Sequence, residues 1–183
     1  MTLFTYFQYV KLGDNIFGIA NSMSMVIDRL RSRISFYIIA ALVVLIDQIS
    51  KLLVRINIPL GSSIPETGFF RFTYVTNNGG VWGLFQGHLS VLIALTFVSM
   101  AAVLFCFYLF AYRWRTVSIA LGFVLGGIIG NQIDRLWLSK VTDFIDWGDW
   151  PVFNIADSAG VIGVAVIIVF LVFFFREKEG SVS

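Results

Sequence analysis

The chain of 183 residues carries one cysteine, one histidine and three prolines, and only 13% of its residues are charged. A single cysteine permits no disulfide within the chain, and Cys106, set inside a long apolar run, reads as a small packed hydrophobe. The one histidine, His88, stands at the start of a span and the one cysteine lies inside it, so the polar stretches contain no Ser-His or Cys-His pair for nucleophilic catalysis. With one histidine a zinc-type metal site is not expected, and the carboxylate chemistry argued below needs no cofactor. His88 itself reads as an interfacial residue at the start of a span. The net charge of +2 includes no long basic run interleaved with aromatics, so nucleic acid is not an expected partner. Residues 1–33 lack the combination of apolar core and small-residue cleavage site that marks a removable signal peptide.

What is present is apolar sequence in long runs: 58% of residues are hydrophobic and the mean hydropathy is +0.86. Such a chain is too apolar for a soluble domain of this length. A helical span needs about 20 apolar residues to cross a hydrocarbon core of roughly 30 Å. Four segments qualify: Ile34–Val54, Leu89–Tyr112, Val117–Ile133 and Ile155–Phe175. Lys11, Arg29, Arg31, Arg33, Arg113, Arg115, Arg176 and Lys178 then fall on one side, which the distribution of basic residues marks as cytoplasmic, with both termini inside. Arg55, Arg71 and Lys140 read as ordinary outer-side residues. The economical division is a cytoplasmic extension over 1–33, interfacial at Ile16–Leu30, a four-span domain over 34–175, and a cytoplasmic tail over 176–183. A start at Met23 or Met25 is an alternative.

The connection between the first two spans holds Phe69-Phe70-Arg71-Phe72-Thr73-Tyr74-Val75, an aromatic and β-branched run that predicts a strand, followed by the turn Thr76-Asn77-Asn78-Gly79-Gly80 and then Val81-Trp82-Gly83-Leu84-Phe85. A small outer β element over about 56–88, resting on the membrane, follows from this pattern. The fold class is an all-α polytopic membrane protein with four transmembrane helices and this extracytoplasmic β element. In the third span Gly122, Gly126 and Gly130 recur every four residues, a face suited to close helix contact.

Three polar stretches interrupt the apolar pattern: Asp47-Gln48-Ile49-Ser50-Lys51, Gly130-Asn131-Gln132-Ile133-Asp134-Arg135, and Phe153-Asn154-Ile155-Ala156-Asp157-Ser158. Each has a plain structural explanation. Asp47 and Lys51, four apart, suit an ion pair; Asn154 and Asp157 suit a helix N-cap with an acidic residue in the first turn; Asn131, Asp134 and Arg135 share one helix face. If the spans alternate in direction, however, all three stretches meet at the outer end of the bundle. Charges inside a bilayer cost about 2.5–3.5 kcal/mol each at a helix centre, so a convergent set of them marks a functional site. With His and Cys chemistry excluded, carboxylates remain. Two aspartates close together cannot both ionise cheaply, so one acts as base toward a water while the other donates a proton. On these grounds alone Asp134 and Asp143 compete for one place in such a dyad.

In order and span position, Asp47-Gln48-x-x-Lys51, Asn77-x-Gly79, Gly130-Asn131-x-x-Asp134-Arg135, Val141-Thr142-Asp143-Phe144-Ile145 and Phe153-Asn154-x-Ala156-Asp157-Ser158 resemble the bacterial lipoprotein signal peptidases (signal peptidase II), over about 34–175. The resemblance implies a four-span aspartyl endopeptidase of the bacterial cytoplasmic membrane with a small extracytoplasmic β-cradle and its active site at the outer face. It implies cleavage of prolipoproteins before the diacylglyceryl-modified cysteine, membrane lipid as the other partner, and a monomer. Asp143 and Asp157 are implied as the dyad, with Asn131, Arg135 and Asn154 orienting dyad and substrate. Asp47 and Lys51 brace the first helix, Asn77 and Gly79 approach substrate from the cradle, and Asp134 supports Arg135 or the following loop. The interval from Asp143 to Asp157 is short for the family, which leaves little chain to cover the site, and Gly80, Val81 and Trp82 depart from its pattern. Two other functions compete on the residues alone. A transporter or proton relay needs polar residues through both halves of the bilayer, and the inner halves are almost purely apolar; an assembly factor would use the glycine face.

Overall fold

The computed structural model describes residues 3–79, 86–111 and 114–180. Its order is helix α1 (Leu3–Asn57), strands β1 (Ser63–Ile64) and β2 (Phe70–Asn77), helix α2 (Leu89–Cys106) prolonged by a π-helical turn (Phe107–Ala111), helix α3 (Arg115–Leu138), strand β3 (Val141–Trp147) and helix α4 (Ile155–Gly180). Asn21–Asn57, Leu89–Phe110, Arg115–Leu138 and Ile155–Glu177 are each long and apolar enough to cross a membrane. Three of the four expected spans lie within them, and the second, expected over Leu89–Tyr112, coincides with Leu89–Phe110 except at its last two residues. Helix α1 begins at Leu3 and runs into the first span without a break. The turn residue Gly80, the segment Val81–Phe85, Tyr112 and Arg113 lie outside the described residues.

Helix α3 occupies the middle of the bundle, with 56% of its most apolar window buried against 11% for α2 and for α4. Its glycines explain why. A Cβ on Gly122 would sit 2.8 Å from the Phe36 carbonyl oxygen, and one on Gly126 would sit 2.6 Å from the Cβ of Val43, so bare backbone is what lets α3 seat on α1. A Cβ on Gly127 would strike the Ala156 carbonyl on the other side, and one on Gly163 of α4 would sit 2.6 Å from the Ala120 carbonyl oxygen. At the end of the bundle away from the strands, Phe36, Ala40, Val103, Val117, Leu121 and Leu125 form the core, joined by the half-buried Cys106. Ser32 and Ser118 share a buried hydrogen bond there.

At the other end the three strands form an antiparallel sheet in the order β1-β2-β3. Strand β2 falls where the aromatic run predicts it, but its long partner β3 comes from residues 141–147, well beyond the 56–88 connection. Arg71 pairs across the ladder with Asp146 and Val75 with Asp143, with a register irregularity between Phe72 and Val75. The sheet rests on the bundle through Val54, Ile58 and Phe144. Strand β3 thereby carries Asp143 down onto the ends of α1, α3 and α4.

Candidate active site

Where α3, α4 and the sheet meet, a cavity of about 440 Å³ is lined by Asn77, Gly79, Asn131, Arg135, Asp143, Asp157 and Ser158 on its polar side and by Val161 and Ile162 toward the bundle. Trp150, Pro151, Val152 and Phe153 close it, so the short β3–α4 connection itself makes a wall. The Phe153 carbonyl accepts from the amides of Phe144 (2.9 Å) and Ile145 (2.7 Å), which ties that wall to the sheet.

Asn154, wholly buried, organises the carboxylates. As the N-cap of α4 its Oδ1 accepts from the Asp157 amide at 2.9 Å, while its own amide donates to Asp157 Oδ2 at 3.3 Å. The capping explanation of Asn154 and Asp157 is therefore correct as far as it goes. The same side chain's Nδ2 also donates to Asp143 Oδ1 at 2.6 Å and to Asn131 Oδ1 at 3.0 Å, and Asn131 Nδ2 donates to Asp157 Oδ1 at 2.7 Å. Asp143 and Asp157 thus face one cavity through a shared asparagine. Burial pushes the Asp143 carboxyl up to about 7, and the neighbouring Asp157 adds to the rise; hydrogen bonds from Asn154 and Asn77 oppose it. Asn77 also holds the turn beyond β2, accepting from the Gly79 amide at 2.9 Å.

Behind this layer lies a second, fully buried one. Lys51 contacts Asp47 at 2.8 Å and Asp134 at 3.5 Å and donates to Asn131 Oδ1 at 2.9 Å. Asp47 in turn accepts from the Ala156 amide in the first turn of α4 at 2.9 Å, and a Cβ on Gly130 would strike its carboxylate at 2.7 Å. Gln48 spans from Asp47 to the Gly130 carbonyl at 3.0 Å. Asp134 is turned away from the cavity, toward Lys51, Arg55 and the Thr142 amide, from which it accepts at 2.9 Å. Arg135 lines the cavity; Nη1 is 3.4 Å from Thr96 Oγ1, and Nε has no partner among the described residues.

Two basic residues are more than ordinary surface. Arg55 donates to Thr142 Oγ1 at 3.0 Å and lies 3.5 Å from Asp134, and Arg71 pairs with the buried Asp146 at 2.7 Å, where Thr73 also donates. Sequence reading missed both roles, together with Thr142 as a partner of Arg55 and Asp146 as the partner of Arg71. The signal was present in Val141-Thr142-Asp143-Phe144-Ile145-Asp146-Trp147, whose β-branched and aromatic residues mark a strand with acidic residues to pair.

Buried aspartates gathered over a cavity at one end of a transmembrane helix bundle, without His or Cys beside them, define a membrane-embedded site of the aspartic peptidase kind. The family described as signal peptidase (SPase) II matches residues 39–173. A lipoprotein signal peptidase of Dehalococcoides mccartyi is 40% identical over 118 residues, 62% of this chain and 74% of the relative, and one of Bacillus pumilus is 36% identical over 110 residues, 60% and 71% of the two chains. A bacterial membrane enzyme solved by the in meso method at 2.3 Å resolution superposes with a TM-score of 0.72 at 34% identity, covering 78% of this chain and 90% of that one. A second, at 1.9 Å resolution, gives 0.67 at 35% identity over 74% and 91%. The chain belongs to the signal peptidase II family, and it is an aspartic-type endopeptidase built into a membrane.

Proposed function

We propose that the chain removes the signal peptide from prolipoproteins by hydrolysing the bond before a diacylglyceryl-modified cysteine, with Asp143 and Asp157 as the catalytic dyad. The observation that carries this reading is Asn154 bonded to both carboxylates over one cavity. Asp157, which accepts from Asn131 and the Asn154 amide, is the ionised base. Asp143, buried and raised to about 7, holds the proton. Asp157 takes a proton from water as its oxygen attacks the scissile carbonyl carbon, and Asp143 protonates the carbonyl oxygen, giving a tetrahedral diol. Asp157 then passes its proton to the cysteine nitrogen while Asp143 takes one back from a diol hydroxyl, so the C–N bond breaks, the carbonyl re-forms in the released carboxyl group, and both aspartates return to their starting states. Arg135, which lines the cavity, holds substrate carbonyls, and Asn77 and Gly79 approach from the cradle. Asp47, Lys51 and Asp134 brace α1, α3 and β3 behind the dyad.

Membrane lipid and the substrate's own acyl chains run alongside. A cleft of about 390 Å³ between α2, α3 and α4, lined by Leu92, Leu95, Val124, Ile128 and Val164, reaches Asn131, Arg135 and Asp157, which suits a lipid attached near the scissile bond. The basic residues support cytoplasmic termini and a site at the outer face of the bacterial cytoplasmic membrane. A monomer suffices, because the glycine face of α3 is spent on α1 of the same chain.

Asp143→Asn and Asp157→Asn should each abolish cleavage of a diacylglyceryl-prolipoprotein in reconstituted membranes, while the proteins insert and fold. Normal processing by either variant would sink the dyad, and cleavage of a substrate with an unmodified cysteine would remove the lipid requirement.

A further inference from the structure

Beside the catalytic cavity the sheet carries a second pocket, about 430 Å³, whose lining consists of four aromatic side chains: Phe69, Trp147, Trp150 and Phe153. Trp150 and Phe153 also line the catalytic cavity, so the two spaces share a wall. Phe69, Trp147 and Trp150 are each more than half exposed, and the backbone that carries them is tied together. Gly148, at φ +57°, turns the chain after β3 and donates to the Phe69 carbonyl at 2.8 Å, and a Cβ there would lie 2.7 Å from the Phe69 ring. Phe69 and Trp147 meet edge to face with centroids 6.4 Å apart, and Phe153 exchanges backbone hydrogen bonds with Ile145.

We propose that this aromatic pocket is a substrate subsite for an apolar side chain within the first few residues after the modified cysteine. The assignment rests on the peptidase reading. The catalytic cavity has a membrane end, walled by Val161 and Ile162 of α4, and a sheet end, walled by Trp150 and Phe153. A signal peptide occupies the membrane end, so the chain beyond the cysteine leaves past the sheet, where the pocket opens. With no charged side chain in its lining and only the two indole N–H groups as donors, the pocket rewards burial of an apolar group over a strongly hydrated one.

The test uses the full-length protein in lipid nanodiscs and diacylglyceryl-modified peptides that carry leucine, serine or lysine at the first three positions after the cysteine. Wild-type kcat/KM should favour leucine over serine at one of these positions by about tenfold, the scale of one apolar side chain in a fitted pocket. Trp147→Ala and Phe69→Ala should erase that preference while cleaving the serine peptide within about twofold of wild type, a result that also certifies their folding, and Trp147→Phe should keep part of the preference. Equal wild-type turnover of all three peptides, or a preference for lysine, would overturn the subsite while leaving the peptidase reading intact. Equal losses on every peptide in the alanine variants would overturn it in favour of rings that only anchor the sheet in the headgroup layer. Failure of wild type to cleave any of the peptides would overturn the peptidase reading and the subsite with it.

Discussion

The contact between α1 and α3 has two halves held by different physics. Away from the sheet, Gly122 and Gly126 let backbone close on Phe36, Ala40 and Val43, and the polar contacts there are neutral or exposed: the buried pair Ser32 and Ser118, and Arg115 donating to Ser35 at the exposed end. Four residues farther along, Gly130 closes instead on the carboxylate of Asp47, and from there the helices are joined by Lys51, Asn131 and Asp134. One half is a dispersion contact that any membrane protein could use. The other places charges where lipid would surround them, and it is tolerable only because each charge meets another or a backbone amide. The contrast also argues against a proton relay, which would need the polar half to continue across the bilayer.

Breaking the polar half should cost most. Lys51→Met leaves Asp47 and Asp134 buried without their shared cation and should destabilise the protein by about 3–5 kcal/mol, read as unfolding in mixed detergent micelles. A loss below about 1 kcal/mol would mean that the carboxylates are neutral or hydrated, and the contrast would dissolve. In the apolar half, Gly126→Leu should cost about 1–3 kcal/mol or prevent folding by forcing α1 from α3, whereas Ala102→Leu on the exposed face of α2 should change little. Equal effects would refute the central place of α3.

Titration sharpens the difference, since only the end that carries the dyad should respond to pH. If Asp143 is the proton donor, as proposed, with its carboxyl raised to about 7, turnover should hold just below that value and fall toward tenfold per unit as pH rises through it, because the carboxyl loses the proton it must give. A profile that rises through neutral pH would reverse the acid and base assignments. Smallest is Gln132→Met on α3. Both amide atoms are buried without a partner among the described residues, so removing them should leave stability unchanged or improve it by about 1 kcal/mol. A clear loss would reveal a partner for that amide.

Much of this was legible in order along the chain. Hydropathy marked four spans, the glycine spacing marked the closely packed face of α3, and five motifs carried the family resemblance. Strand β3 was not read as a strand: its β-branched and aromatic residues carry the signal, but the acidic residues and tryptophans among and after them read as a loop until β2 is beside it. Arg55 and Arg71 were read as outer-side surface because their partners, Thr142, Asp134 and Asp146, lie 79 and more positions away for Arg55 and across a ladder for Arg71.

Asp134 and Asp143 show where the division falls. By itself the sequence determined that this is a four-span membrane protein with an excess of carboxylates near one end, because transfer energies and helical periodicity are local properties of the chain. Only the tertiary structure decided which carboxylates meet. It turns Asp134 inward to Lys51 and the Thr142 amide, and it lowers Asp143 on β3 to the asparagine that also caps α4. That choice depends on the pairing of strands and helices distant in sequence, and a sheet register has no signature in either strand alone.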